Sequence, residues 1–121
     1  MDTSLSVLVV DDSQTIGLVL TKHLQKLGFS DIDLAQDGNA ALERLRDKQY
    51  GLVLSDWEMQ PMGGDEFLKA LRRATIHKVP VVLITGTTNR GTAWLAGADA
   101  YLPKPFGDKD FETAIKHALA S

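Results

Sequence analysis

The chain has no cysteine. Disulfides, thiolate metal sites and cysteine nucleophiles are therefore excluded. No apolar run approaches the length of a membrane span, and the opening Met1-Asp2-Thr3-Ser4 does not read as a secretory start. Basic residues are not in excess: 13 Lys and Arg stand against 16 Asp and Glu, for a net charge of -3. That balance argues against a general nucleic-acid binder, which carries a basic patch. Repeats, linkers and low-complexity stretches are absent as well. The expectation is a soluble cytoplasmic protein with no membrane or nucleic-acid partner. Residues 1–121 should form one compact domain, long enough for a real core.

What is present is an alternation. Short apolar runs rich in β-branched residues are predicted as strands at Leu5–Val10, Ile32–Ala35, Leu52–Ser55, Val79–Ile84 and Ala100–Leu102. Between them lie segments of helical period. Ile16, Leu20, Leu24 and Leu27 recur at helical spacing, with Ser13 placed as N-cap and Gly28 just past the end. Ala41, Leu42 and Leu45 mark a second helix opened near Asp37-Gly38, and Phe67, Leu68 and Leu71 a third. Phe111, Ile115, Ala118 and Leu119 mark a last one, with Asp108 as its expected cap. The stretch from Asn89 to Gly97 has few strong helix formers, which predicts one or two turns at best. Strand–helix alternation with nearly continuous apolar strands implies a parallel α/β sheet covered on both faces. Ligands in such sheets bind beyond the carboxyl ends of the strands, where strand order reverses.

The first run, Val7-Leu-Val-Val-Asp11-Asp12-Ser13, ends in two adjacent carboxylates. At about 4 Å and an effective dielectric of about 20, two such charges repel by roughly 4 kcal/mol. A chain tolerates this when a cation relieves it or when the pair points into solvent. The other strand ends favour the cation. The third ends in Asp56, the fourth in Thr85, and the fifth runs into Lys104-Pro105. Three carboxylates, a hydroxyl and an ammonium thus converge on one rim. Clustered carboxylate oxygens suit a hard cation such as Mg²⁺. An Asp held against it can act as nucleophile toward phosphorus, while a hydroxyl and an ammonium hold the oxygens of the transferred group.

At these residues the sequence resembles the receiver domains of two-component response regulators. The marks are VLVVDDS at 7–13, LVLSDWEM at 52–59, VLITG at 82–86 and AGADAYLPKPF at 96–106, in the family's order and spacing. The resemblance implies a five-stranded parallel, doubly wound, flavodoxin-like (βα)5 fold. It implies that Asp56 accepts a phosphoryl group from a sensor histidine kinase or a histidine phosphotransfer protein. Asp12 would bind Mg²⁺ directly, Asp11 mostly through water, and Asp56 and the backbone carbonyl of Glu58 would complete the protein ligands. Thr85 would contact the phosphoryl group, Lys104 would pair with it, and Tyr101 would swing inward on activation. Lys104-Pro105 matches the family's cis peptide. The domain would catalyse only its own phosphorylation and dephosphorylation. Nothing follows Ser121, so signalling is expected to pass through a downstream protein partner.

Four departures from the family pattern stand out. Pro61 follows Gln60 rather than Met59 directly, with Gly63-Gly64 beyond it. Glu58 puts a carboxylate two residues past Asp56, and Thr87 stands two past Thr85. The interval from Thr85 to Lys104 is about one helical turn shorter than usual, which predicts a shortened fourth helix.

The remaining signals read as structural. Gly86–Gly91 has a phosphate-loop spacing without its lysine, because Thr92 stands there. His23, His77 and His117 are scattered and expected at the surface or core edge, Trp57 and Trp94 as partly buried packing. Lys69, Arg72, Arg73 and Lys78 read as the solvated end of a helix. Two rival functions stand against this one. A Mg²⁺-dependent phosphatase with an aspartate nucleophile would need Asp-x-Asp on the first strand, but residue 13 is Ser. A receiver-like binding module not switched by phosphorylation would usually have lost an acid or the lysine, and all five residues are present.

Overall fold

A computed structural model describes residues 1–74, 78–86 and 97–120. The elements alternate as the pattern predicts: β1 (Val7–Val10), α1 (Gln14–Lys26), β2 (Ile32–Ala35), α2 (Gly38–Asp47), β3 (Leu52–Asp56), α3 (Gly64–Ala74), β4 (Val81–Thr85), β5 (Ala100–Pro103) and the C-terminal helix α4 (Asp108–Ala120). The strands form one parallel sheet in the order β2-β1-β3-β4-β5. The shortened helix expected between the fourth and fifth strands, with Thr87 and Trp94, falls in residues 87–96 and lies outside the described residues, as does His77.

Alternation along the strands divides the core in two. Val7, Val9, Leu52, Leu54, Val82 and Ile84 face α1 and α4, where Leu20, Leu24, Phe111 and Ile115 cover them. Leu8, Val10, Val53, Val81 and Leu83 face α2 and α3, where Ala41, Phe67, Leu68 and Leu71 close the other side. Both faces being covered, β1, β3 and β4 are buried at every position. Each such Leu, Val or Ile contributes roughly 1.5–3 kcal/mol of burial.

Local chemistry sets the helix ends. Ser13 is the N-cap of α1, its hydroxyl accepting from the Ile16 amide at 3.3 Å. At the other end Gly28 takes φ +106°. Its amide donates to Gln25 O while that of Phe29 reaches back to Leu24 O, the paired closure of a Schellman turn. Asp37 caps α2 by accepting from the Ala40 amide.

Several sequence expectations are corrected. Leu5 and Val79 lie before their strands, which start at Val7 and Val81. The third, fourth and fifth strands run one residue further than expected, so Asp56 and Thr85 are held by strand pairing itself. Ile16 is exposed and Gly17 is buried in its place, facing the Leu34 side chain. Asp108 is the first residue of α4 rather than its cap, and the Asp110 carboxylate accepts from the Gly107 amide instead.

The basic run is not merely solvated. Asp99, buried just before β5, accepts from the Val81 amide at 2.8 Å and from Arg72 at 3.0 Å, with Lys78 at 3.3 Å. Arg72 also donates to the carbonyls of Val79 and Gly97. One guanidinium therefore ties the end of α3 to the entries of β4 and β5. Removing one partner of a buried pair leaves the others uncompensated. Asp99→Ala should therefore lower stability by about 3 kcal/mol, read as a fall in the urea midpoint. A loss below about 1 kcal/mol would mean that solvent replaces the carboxylate.

Candidate functional site

Strand order reverses at β1 and β3, and the site lies at their carboxyl ends. Backbone pairing continues past the strands there. The Asp11 amide donates to Ala35 O, that of Trp57 to Ile84 O, and that of Lys104 to Thr85 O at 2.7 Å. The residues after each strand are thus held by the ladder, which fixes the direction of their side chains.

Those side chains converge as the sequence predicts. Carboxylate oxygens of Asp11, Asp12 and Asp56 all lie within 4.8 Å of one another, a spacing that can hold a metal ion. The Lys104 ammonium is 3.1 Å from Asp56 Oδ1. Asp11 and Asp56 are buried while Asp12 is exposed. Asp11 Oδ1 accepts from the Ser13 amide at 2.9 Å, but Oδ2 is buried without a hydrogen-bond partner among the described residues. A buried carboxylate oxygen with no donor is costly unless a cation faces it.

Thr85 is fully buried at the end of β4, its hydroxyl donating to Gly86 O at 2.7 Å. Tyr101 is half-buried on the same face of the sheet, in register with Leu83. Glu58 is exposed at the mouth, with Oε1 beside Gly86 and its amide donating to the Asp56 carboxylate.

One ammonium does not balance three carboxylates, and the titration behaviour follows. Burial raises the Asp11 carboxyl above its ordinary value, and the charge of Asp56 adds to that. Burial also raises Asp56, against the opposing pull of Lys104. Buried carboxylates in excess over their counter-charge suit a cation more than the stability of the fold itself.

The β3–α3 loop closes tightly behind Asp56. The Gly64 amide donates to Trp57 O, and a Cβ on Gly64 would stand 2.6 Å from Asp56 O and 2.8 Å from Trp57 Cα. Only glycine permits this approach. The Gln60-Pro61 and Lys104-Pro105 peptides are both cis, the second as the resemblance implies. Met62 seats the displaced-proline loop on Gly38 at the start of α2. Trp57 packs partly buried against the α2–α3 core, as expected.

His23, expected at the surface or core edge, has specific neighbours. It sits half-buried between α1 and α4, with Nδ1 3.0 Å from Asp108 Oδ1 and its ring stacked on Phe111. The residue falls on the inner side of α1 one position before Leu24, a placement visible only once the helix register is known.

Comparison with known proteins agrees with this geometry. The sequence model of the response regulator receiver domain matches residues 7–116. Chemotaxis protein CheY-3 of Vibrio cholerae is 33% identical over 110 residues, covering 88% of this chain and 85% of that protein. The transcriptional regulatory protein CpxR of Escherichia coli is 37% identical over 116 residues, which span 93% of this chain and 48% of CpxR. Among solved structures, the chemotaxis response regulator CheY4 of Vibrio cholerae superposes with a TM-score of 0.85 at 30% identity, covering 97% of this chain and 100% of CheY4. The convergent acids, the lysine on Asp56 and the match over most of the chain lead to one conclusion: the chain belongs to the response regulator receiver domain family.

Proposed function

We propose that Asp56 is the phosphoacceptor and that the chain works as a phosphorylation switch in the cytoplasm. The observation that carries this reading is the arrangement of Asp56 within reach of both Lys104 and the Asp11–Asp12 pair. A carboxylate oxygen of Asp56 attacks phosphorus, the P–N bond to a donor histidine breaks as the P–O bond forms, and the imidazole leaves with the electron pair. Water later cleaves the acyl phosphate, releasing inorganic phosphate and restoring the carboxylate. No external substrate is turned over, so the chain is not an enzyme in the ordinary sense.

Asp11, Asp12, Asp56 and the Glu58 carbonyl would hold Mg²⁺, and the buried, donorless Oδ2 of Asp11 fits a cation. When bound, the ion neutralises charge on the phosphoryl oxygens. Lys104, already paired with Asp56, holds one phosphoryl oxygen as charge moves off the donor. Thr85 releases Gly86 O to donate to another, and the space it vacates on its face of the sheet admits Tyr101. That rearrangement is read by a downstream protein. The donor is a sensor histidine kinase or a histidine phosphotransfer protein, and the exposed Ile16, Leu18 and Val19 of α1 offer it an apolar docking face beside the site.

Two outcomes test the reading. Intact mass after incubation with phosphoramidate should show a phosphoryl adduct that needs Mg²⁺, disappears with chelator and is absent from Asp56→Asn. A folded protein that takes up no phosphoryl group under any condition would instead leave a constitutive binding module.

The second outcome concerns stability. Because burial raises Asp11 in the folded state, the folded form holds a proton that the unfolded chain has already released. Stability from this group is therefore greatest below the ordinary carboxylate range and is lost as pH rises through the raised value. Where the group is ionised, its buried Oδ2, with no donor among the described residues, is a standing cost. In chelator, Asp11→Asn should raise stability by about 1 kcal/mol, or about 4 °C in Tm. It should also lose the further rise that Mg²⁺ gives the parent protein. A lower Tm in chelator would show that the charge is already compensated within the fold.

A further inference from the structure

The aromatic cluster between α1 and α4 joins the outer helix to the reactive lysine. The His23 imidazole stacks on Phe111 at 5.0 Å between ring centres and 26° between planes. It meets Phe106 at 5.5 Å and 58°, and Phe106 meets Phe111 at 5.9 Å and 32°. Each ring touches the other two, so none moves alone. Phe106 follows Pro105, which follows Lys104, the residue whose ammonium is 3.1 Å from Asp56 Oδ1. Proline fixes φ, so a displacement of Phe106 is passed along this short segment rather than absorbed by backbone rotation. The upstream end is anchored as well, through the Lys104 amide on Thr85 O. The lysine therefore hangs between a strand end and a ring cluster.

We propose that His23 is a positioning residue for phosphoryl transfer: through Phe106 its ring sets where the Lys104 ammonium stands over Asp56. The proposal rests on the reading of Asp56 as acceptor. His23 also approaches Asp108, with Lys26 at 3.7 Å on the other carboxylate oxygen. Asp108 is 69% exposed on its side chain. Solvent and salt screen that pair, so it orients the imidazole while ring packing bears the load. The helix that carries His23 inward also carries Ile16, Leu18 and Val19 outward.

The test uses the full chain and phosphoramidate, which needs no docking partner. Adduct formation is timed by intact mass at saturating Mg²⁺ for the parent protein, His23→Ala, His23→Phe and Asp108→Ala. Thermal unfolding and Mg²⁺ affinity by calorimetry are recorded for each. His23→Ala should slow phosphorylation about fivefold or more, because sub-ångström misplacement of a catalytic group is enough to do so. Its Mg²⁺ affinity should match the parent's. His23→Phe restores a ring without the imidazole nitrogens and should recover the rate to within about twofold, as should Asp108→Ala. A folded His23→Ala that reacts at the parent rate overturns the proposal. So does a His23→Phe as slow as His23→Ala, or a slow variant whose Mg²⁺ affinity has fallen in step. If the parent protein itself takes no phosphoryl group, the acceptor reading fails first and this inference with it.

Discussion

Three carboxylates held within 4.8 Å against a single ammonium constrain everything else in the molecule. At an effective dielectric of about 20, each close pair of like charges costs on the order of 4 kcal/mol. One lysine offsets only part of that. The cluster would open if its side chains were free to do so, and they are not. Asp56 is still in the ladder at the end of β3, and the Asp11 and Lys104 amides are hydrogen-bonded to the neighbouring strands. The strands in turn are fixed by burial on both faces, so the apolar core holds the acids against their own repulsion. Fold stability is converted into a negative electrostatic field at the rim, one that a cation would relieve.

The opposite end of the sheet shows that this is a feature of the site and not of acidic residues generally. Asp31 and Asp33 flank the amino end of β2, and both lie below their ordinary range. Asp31 is lowered first by the Ser6 hydroxyl and then by Lys48, Asp33 first by Tyr50 and then also by Lys48. Lys48 bridges the two at 2.9 and 3.0 Å, and the Tyr50 hydroxyl donates to Asp33 at 2.6 Å. Burial, reinforced by Asp33, pushes the phenol up to about 12. Asp99 is likewise surrounded by donors. Where the chain needs acids only for structure, it supplies a donor for each. At the rim it leaves Asp11 Oδ2 without one. Opposite shifts in the same residue type separate the structural end of the sheet from the chemical one.

Much of this was legible from the residues. Uninterrupted runs such as Val7–Val10 announced strands buried on both faces, and the acids, Thr85 and Lys104 fell at strand ends by simple counting. What could not be read depended on which side of a helix faced inward by a single residue. Ile16 fits the apolar spacing of α1 but is exposed, and Gly17 rather than Ile16 faces Leu34. Arg72 fits a solvated helix end, yet a carboxylate nearly thirty positions later, in the turn before β5, draws it in. His23 had no partner at useful spacing because its partners, Phe106, Phe111 and Asp108, all come from the far end of the chain. Local pattern fixes the elements and their ends. Pairings made by long-range closure need the fold.

The long-range pairings also decide how far a change at the rim can travel. Thr85, Leu83 and Tyr101 share one face of the sheet, with Tyr101 in register with Leu83. On the other face the rings of His23, Phe106 and Phe111 connect the segment after β5 to α1. Beneath both, Asp99 and Arg72 pin the entries of β4 and β5 to the end of α3. The strands are thus tied down at their amino ends, while the side chains of the site stand at their carboxyl ends. The buried ion pair at the base and the uncompensated acids at the top are therefore two halves of one arrangement, since a field at the rim moves side chains usefully only if the strands that carry them stay in place.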